Sequence, residues 1–313
     1  MLKPIQNPFQ STKLISLDRY FDEMISIYEA GNFPKVLMLN GKKGIGKFTL
    51  VLHFLNYIYS MKETNHYNYK EKSINTDSNF YKSILKQTCS DVIFLKAEEG
   101  KNIKIDDIRN LKNVLSRSSL SDNVRFTVID EVEFLNSNSA NALLKTLEEP
   151  SFNNYFIVIN NQQADLIETI SSRCLRNNIY LNFEKQMKVI NYFVEKEKID
   201  ILIDDTKNLT PGQLFKYNFL FEKYKLDNNE NIFLKLSKLL YAYKKDKNKT
   251  LIYMSIFFID NFFYHLLDEH TDKTDFLLNH KSIIVNKIND FILYNLNIGS
   301  VLNSIELKLK NVR

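Results

Sequence analysis

The sequence predicts an α/β core, a parallel sheet flanked by helices, followed by a helical remainder. Short β-rich runs alternate with helical patterns in the first part of the chain, which is typical of strand, helix, strand units with parallel pairing. All five prolines and six of the seven glycines fall at or before Gly212. From about Phe183 the β-rich runs stop, and beyond Asp227 the chain carries long apolar helical patterns with almost no helix breakers.

The strands and helices of the first part are predicted from residue type and spacing. β-branched and aromatic residues form the strand runs, and apolar residues three and four positions apart mark the helices. The predicted order is strand 36–39, helix from 47, strand 92–95, helix 105–115, strand 126–129, helix 139–147 and strand 156–159. The third helix would carry one apolar stripe, formed by Ala140, Leu143, Leu144 and Leu147.

The same features predict where domains begin and end. We expect an α/β core over residues 1–182, a small helical domain over 183–225 and a helical C-terminal domain over 226–313. The polar stretch 61–91 has weak periodicity and many turn-forming residues, which predicts an excursion at the surface of the core.

One apolar stretch, 251–267, approaches the length of a membrane span. It is interrupted by Asp260, Asn261 and His265, and it falls short of the roughly 20 residues that a bilayer requires. We therefore expect a buried helix and no membrane partner.

Composition excludes some classes of function. The chain has 42 Lys and Arg against 37 Asp and Glu, and this net charge of +5 is too mild and dispersed to indicate a nucleic-acid-binding protein. Cys89 and Cys174 lie far apart and the five histidines are scattered, so neither a zinc site nor a disulfide framework is predicted. We expect reduced thiols and a cytoplasmic protein, since the first residues also lack the apolar core of a signal peptide.

The first motif with chemical meaning is GKKGIGKFT at 41–49, between a predicted strand and a predicted helix. In a GxxxxGK loop the backbone N–H groups wrap phosphates and the helix N-terminus adds its positive end. The next position should be Ser or Thr, whose hydroxyl ligates magnesium, but here it is Phe48. Thr49 lies about 100° further round the helix and should point elsewhere. The pattern predicts a degenerate site that binds ATP weakly at most, without turnover; a glycine turn without any ligand is the alternative.

An acid pair ends the strand of the sequence FTVIDE at 126–131. In a P-loop ATPase, an Asp at such a strand end supports magnesium and a following Glu can polarise the attacking water. Asp130 and Glu131 are candidates for these roles because they accompany the loop at 41–49. The alternative is that the strand simply ends in solvated acids.

An arginine follows a short apolar segment in the sequence SRC at 172–174. An arginine at the edge of such a core can reach the site of a neighbouring subunit and neutralise charge on a transferring phosphoryl group. Arg173 is therefore a candidate arginine finger, although a plain surface arginine is the alternative for so short a motif.

The sequence NALLKTLEEP at 141–150, shortly after the acid pair and some two dozen residues before SRC, makes the chain resemble the bacterial clamp-loader AAA+ family. The resemblance extends from about 34 to 174 and is only architectural in the C-terminal third. Four features make the chain more similar to the delta-prime type of DNA polymerase III subunit than to the ATP-hydrolysing gamma/tau type. They are Phe48, the absence of the zinc-binding cysteines of gamma/tau, the chain length, and Gly212 in Thr210-Pro211-Gly212, where gamma types carry a second nucleotide-sensing arginine.

The resemblance implies a subunit of a hetero-oligomeric ring in DNA replication. The domain over 1–182 would be an AAA+ core, that over 183–225 a helical lid, and that over 226–313 a collar for oligomerisation. The implied partners are the gamma/tau and delta subunits, the sliding clamp and primer-template DNA inside the ring. No intrinsic ATPase activity and no zinc are expected.

The resemblance also implies roles for individual residues. Arg173 would act in trans on the ATP of the adjacent gamma/tau subunit, and Asn161 would occupy the sensor position after the fourth strand. The residues of the degenerate ATP site would be Gly41, Gly44, Gly46, Lys47, Thr49, Asp130, Glu131 and Asn161.

Two other functions stay open at this point. In one, the chain is an active ATPase of the gamma/tau type in which Lys47, Asp130 and Glu131 turn over ATP despite Phe48. In the other, it is a free-standing basic DNA-binding module, which the dispersed charge and the absence of a recognition-helix or zinc signature disfavour.

Overall fold

The structure is a computed structural model that describes residues 7–96, 103–116, 124–206 and 208–312. The chain divides into two compact units. The N-terminal unit comprises Met1–Asp200 and Leu209–Phe215, and the C-terminal unit comprises Ile201–Asn208 and Lys216–Arg313. The segment 209–215 thus belongs to the N-terminal unit, although it follows 201–208 in the sequence. The division into core, lid and collar stays a prediction.

Five parallel strands form the sheet of the N-terminal unit, in the order β2-β3-β4-β1-β5. The strands are β1 (Val36–Asn40), β2 (Val92–Lys96), β3 (Arg125–Asp130), β4 (Asn154–Asn160) and β5 (Leu175–Asn178). Every residue of β3 is buried and β4 is buried along nearly its whole length, as expected for strands covered on both faces. This architecture confirms the predicted α/β fold class, a parallel sheet flanked by helices.

Helices cover both faces of this sheet. They are α1 (Asp18–Glu29), α2 (Lys47–Ser60), α3 (Asn79–Leu85), α4 (Ile105–Ser116), α5 (Ser137–Glu148) and α6 (Glu168–Ser171). A further helix of the unit, α7 (Phe183–Glu197), follows β5 in the sequence. One apolar layer combines α1, α2 and α3 with side chains of the sheet, and it contains Phe54 of α2 and Phe126 of β3. A second layer combines α4, α5 and α6 with the opposite face, where Leu143 and Ile170 pack. The predicted helices at 47, 105–115 and 139–147 are confirmed.

The strand β5 and the helix α3 were not predicted. β5 is the edge strand beside β1, and its residues, Leu175, Arg176, Asn177 and Asn178, lack the β-rich pattern of a buried strand. The helix α3 lies inside the polar stretch 61–91 and buries Phe80, Tyr81 and Ile84. The polar stretch is therefore not only a surface excursion, because it contributes side chains to the core.

A buried histidine ties the polar stretch to α2. The His53 side chain is buried, with Nδ1 2.8 Å from the Tyr67 hydroxyl and Nε2 3.0 Å from the Ser11 carbonyl oxygen. A neutral ring satisfies both contacts, since Nε2–H donates to Ser11 and Nδ1 accepts from Tyr67. Burial lowers the pKa of His53 from 6.5 to about 4.

We predict that the folded chain loses stability in acid because of His53. Its pKa is lower in the folded than in the unfolded chain, so the unfolded chain binds the extra proton as pH falls. The free energy of unfolding should decrease between pH 6.5 and about pH 4, by about 3 kcal/mol from this group. Urea unfolding across that range measures it. His53→Gln should remove this part of the pH dependence and His66→Gln, at an exposed histidine, should not; equal curves for all three proteins would contradict it.

The C-terminal unit is helical, as predicted. Its helices are the remainder of α8 (Pro211–Lys223), then α9 (Ile232–Asp246), α10 (Lys249–Glu269), α11 (Thr274–Leu293) and α12 (Ile298–Lys310). Asn231, Asn248 and Asn297 cap α9, α10 and α12, each by accepting a backbone N–H with its side chain.

The helix α10 contains the apolar stretch 251–267. It is long and apolar enough to cross a membrane by length and composition, but half of its most apolar window is buried inside the protein. The buried residues, which include Leu251, Phe258 and Phe263, belong to the core of the C-terminal unit.

Candidate functional site

The loop at 41–46 joins β1 to α2, as the sequence predicted. The Gly41 amide donates to the Asn160 carbonyl oxygen at 3.2 Å, which fixes the start of the loop beside β4. Gly46 is the N-cap residue of α2, and its carbonyl oxygen accepts the first helical hydrogen bond, from the Leu50 amide. The strand, loop and helix of a phosphate-binding site are therefore all present.

The lysine of this loop contacts the loop itself. Lys47 is only 3% exposed. Its Nζ donates to the carbonyl oxygens of Gly41 at 2.6 Å and Lys42 at 2.8 Å. Burial lowers the pKa of Lys47 to about 8, although the nearby carboxylates of Asp130 and Glu133 act in the opposite direction. The ammonium group that would meet a phosphate is thus already satisfied by backbone oxygens.

Phe48 belongs to an aromatic cluster. Its ring centroid lies 5.3 Å from that of Phe9 and 5.7 Å from that of Phe94. The Nζ of Lys96 lies 5.9 Å from the Phe48 ring centroid. Thr49, the next residue of α2, is half-buried. An apolar cluster stands where a P-loop ATPase presents a hydroxyl to magnesium, so this position does not fit a magnesium nucleotide.

Two lysines contact the acid pair. The Lys43 Nζ lies 2.7 Å from Glu131 Oε1, and the Lys96 Nζ lies 3.1 Å from Asp130 Oδ2. Both carboxylates have little solvent exposure, which strengthens their attraction to the ammonium groups. The charge that a magnesium ion would neutralise is balanced by side chains of the chain itself.

Asn161 lies beside the acid pair, directly after β4. Its Nδ2 donates to Asp130 Oδ1 at 3.2 Å. Its amide donates to the buried Glu133 carboxylate at 3.1 Å, and burial raises the pKa of that carboxyl group. Glu131 has a positive φ of 61°, a left-handed conformation that is uncommon for a residue with a side chain. Such residues concentrate at functional sites.

The first turn of α8 packs against the loop. The Thr210 hydroxyl donates to the Lys43 carbonyl oxygen at 2.6 Å, and the Gly212 amide donates to the Gly44 carbonyl oxygen at 2.9 Å. A Cβ atom on Gly44 would lie 2.4 Å from the Thr210 Oγ1, and one on Gly212 would lie 2.8 Å from the Gly44 Cα. Only glycine at both positions permits this approach of two backbones.

Arg173 follows α6 on the other side of the sheet. Its Nε donates to Glu148 Oε1 at 2.6 Å, and one terminal nitrogen donates to the Thr169 carbonyl oxygen at 2.8 Å. The side chain is 30% exposed. The guanidinium is thus anchored to its own unit while part of it faces solvent.

The structure brings most of the predicted site together, in two places. Around the loop lie Gly41, Gly44, Gly46, Lys47, Asp130, Glu131 and Asn161. Arg173 contacts the end of α5, apart from this cluster. Sequence reasoning missed Lys43, Lys96 and Glu133. A lysine within the loop or at a strand end carries no sequence signal, because its partner is fixed only by folding.

Among the residues that the structure describes, no group of three or more His, Cys, Asp and Glu side chains could hold a metal ion. A family model described as the DNA polymerase III delta subunit matches residues 17–183, more than half of the chain. The chain belongs to this family. The matched region contains the loop, the acid pair and Arg173.

Curated relatives are similar to part of the chain. DNA polymerase III subunit gamma of Buchnera aphidicola is 30% identical over 171 residues, which cover 54% of this chain and 45% of the relative. DNA polymerase III subunit delta' of Pseudomonas aeruginosa is 36% identical over 90 residues, which cover 28% of this chain and 27% of the relative. The chain thus spans less than half the length of these relatives.

Among solved structures, a DNA polymerase III gamma subunit-related protein of Thermotoga maritima is similar to this chain. Its sequence identity is 19% and the TM-score is 0.47, with 95% of this chain and 99% of the other chain covered.

Proposed function

We propose that this chain is a non-hydrolysing subunit of the DNA polymerase III clamp loader, the assembly that opens the sliding clamp and loads it on primed DNA. Membership of the DNA polymerase III delta subunit family supports a place in this assembly. Relatives named as subunits gamma and delta' support the same assembly. The contacts within the loop support the absence of turnover.

One observation carries the proposal: the charged groups of the degenerate nucleotide site are paired within the chain itself. Lys47 binds loop carbonyls, and Lys43 and Lys96 neutralise the acid pair. Phe48 supplies a ring in place of a hydroxyl, and Gly212 packs on Gly44. Nucleotide and magnesium would have to displace each of these contacts, which opposes binding and turnover.

The chain's contribution to catalysis would be Arg173, acting on the ATP of a neighbouring subunit. A guanidinium offers planar donors that match phosphoryl oxygens, and it stays charged at all physiological pH values. We propose gamma/tau as this neighbour, with delta, the sliding clamp and primer-template DNA as the other partners in a cytoplasmic complex. In this proposal 1–182 is the core, 183–225 the lid and 226–313 the collar that assembles the ring.

Reconstitution tests this proposal directly. The chain, mixed with gamma/tau and delta subunits, should form a stable complex that loads the clamp onto primed DNA, and omission of this chain should abolish loading. Size-exclusion chromatography and a clamp-loading assay are the measurements. A complex that forms and loads equally well without this chain would contradict the proposal.

Nucleotide binding gives a second test, on the isolated chain. We expect calorimetry to detect weak ATP binding or none, with no gain from magnesium, because Lys43 and Lys96 pair with the acids and Phe48 offers no hydroxyl. The alternative function, an active gamma-type ATPase, predicts the opposite. Tight magnesium-dependent binding, and hydrolysis that Lys47→Ala abolishes, would establish that alternative.

A further inference from the structure

The contacts of Arg173 hold its guanidinium in one place. Nε and one terminal nitrogen both donate to the same oxygen of Glu148, and the other terminal nitrogen donates to the Thr169 carbonyl oxygen. Glu148 is the last residue of α5, so a folded helix carries the carboxylate. The pair joins two elements of the N-terminal unit, 25 residues apart in sequence.

The edge of the guanidinium that contacts Glu148 is the edge that could also bind a phosphoryl group. Nε and the adjacent terminal nitrogen form the side of the fork that binds planar oxyanions through parallel hydrogen bonds. A carboxylate occupies this edge here. A phosphoryl group of another subunit would require donors of the same kind, so the two anions compete for one cation.

We propose that Glu148 is a positioning residue whose carboxylate holds the Arg173 guanidinium within its own subunit. The phosphoryl charge of the neighbouring subunit's ATP then displaces this carboxylate from Arg173. This inference rests on the proposed function, in which Arg173 acts in trans. The contact with Glu148 keeps the guanidinium in a defined position before a neighbouring subunit binds ATP, and its release lets the guanidinium pair with the phosphoryl group. Glu148 itself does not touch the reacting atoms.

The exposure of the pair fits a contact that is readily released. The side chains of Arg173 and Glu148 are 30% and 45% exposed. Water screens a pair of this exposure, and added salt screens it further. Pairing with Glu148 therefore makes Arg173 only slightly less available to a neighbouring subunit. A triphosphate carries more negative charge than one carboxylate, so it displaces Glu148.

The test is Glu148→Gln in the reconstituted complex. Glutamine keeps the shape and an accepting oxygen but removes the competing charge. We expect kcat/KM for ATP at the neighbouring site to rise by about two- to fivefold, the range that a half-exposed ion pair supports. The rise should shrink as salt is added, because screening weakens the pair only in the unsubstituted protein. A purely structural role for Glu148 would not produce this salt dependence.

Two further variants separate the explanations. Glu149→Gln removes the same charge from the next, exposed residue, and kcat/KM should stay unchanged. The double variant Glu148→Gln with Arg173→Ala should match Arg173→Ala alone, because Glu148 acts only through the arginine. If Arg173→Ala slows ATP hydrolysis but Glu148→Gln leaves hydrolysis unchanged or slows it, the positioning role of Glu148 is wrong and the proposed function stands. If Arg173→Ala has no effect, both the role of Glu148 and the arginine-finger assignment are wrong.

Discussion

Replacing Arg173 with Ala should slow ATP hydrolysis at the neighbouring subunit's site by about 10³-fold or more, the effect typical of removing an arginine finger. The reason is electrostatic: negative charge spreads over the phosphoryl oxygens in the transition state, and a guanidinium from the adjoining subunit stabilises it. In the proposed complex, the other ATP sites should be unaffected. Single-turnover hydrolysis, in complexes whose remaining ATPase sites are silenced, is therefore the measurement.

The stability of the chain should change little in the same variant. Arg173 is 30% exposed and its ion pair with Glu148 is half-exposed, so the pair contributes about 1 kcal/mol or less to folding. Arg176→Ala, at an exposed position three residues along the chain, is the matched control and should leave hydrolysis unchanged. Equal hydrolysis by both variants, with the ring assembled, would show that Arg173 is an ordinary surface arginine.

Replacing Gly44 with Ala should give the largest loss of stability. Gly44 has φ of 85°, and an added Cβ would lie 2.4 Å from the Thr210 Oγ1. Left-handed strain and the steric conflict act together, so we expect the free energy of unfolding to fall by about 2–4 kcal/mol. Urea unfolding measures the loss, and faster amide hydrogen exchange at 210–215 would locate it.

Gly31 supplies the control for backbone strain. It also has a positive φ, 72°, but an added Cβ would meet nothing within 4 Å. Gly31→Ala should therefore cost only the conformational strain, about 1 kcal/mol. The excess cost of Gly44→Ala measures the close approach to Thr210. If the two variants lose the same stability, the first turn of α8 does not pack on the loop in solution.

Much of the core was predictable because its signals are local. The strands β1, β3 and β4 carry largely apolar runs, as is typical of strands covered on both faces. The glycine-rich pattern at 41–46 predicts a loop between a strand and a helix. By contrast, β5 is an exposed edge strand with three polar residues out of four, so no burial pattern marks it.

The helix α3 was missed for a related reason. It has only seven residues and lies within a polar stretch, where its three buried side chains give too short a pattern for a helical period. Its N-terminus is satisfied by the Glu63 carboxylate, which accepts the amides of Asn79 and Phe80. That capping contact spans at least 16 residues and has no local signature.

The sequence by itself determined the α/β fold class, the family resemblance, the replacement of the magnesium-binding hydroxyl by Phe48 and the candidacy of Arg173. Only the tertiary structure decided which groups pair with one another in the degenerate nucleotide site. Lys43 meets Glu131 across 88 residues of chain, and Thr210 meets the Lys43 carbonyl across 167. Folding also placed Arg173 on Glu148. Local patterns of hydrophobicity encode strands and helices, whereas the partner of a charged or glycine residue depends on which distant segments the packed core brings together.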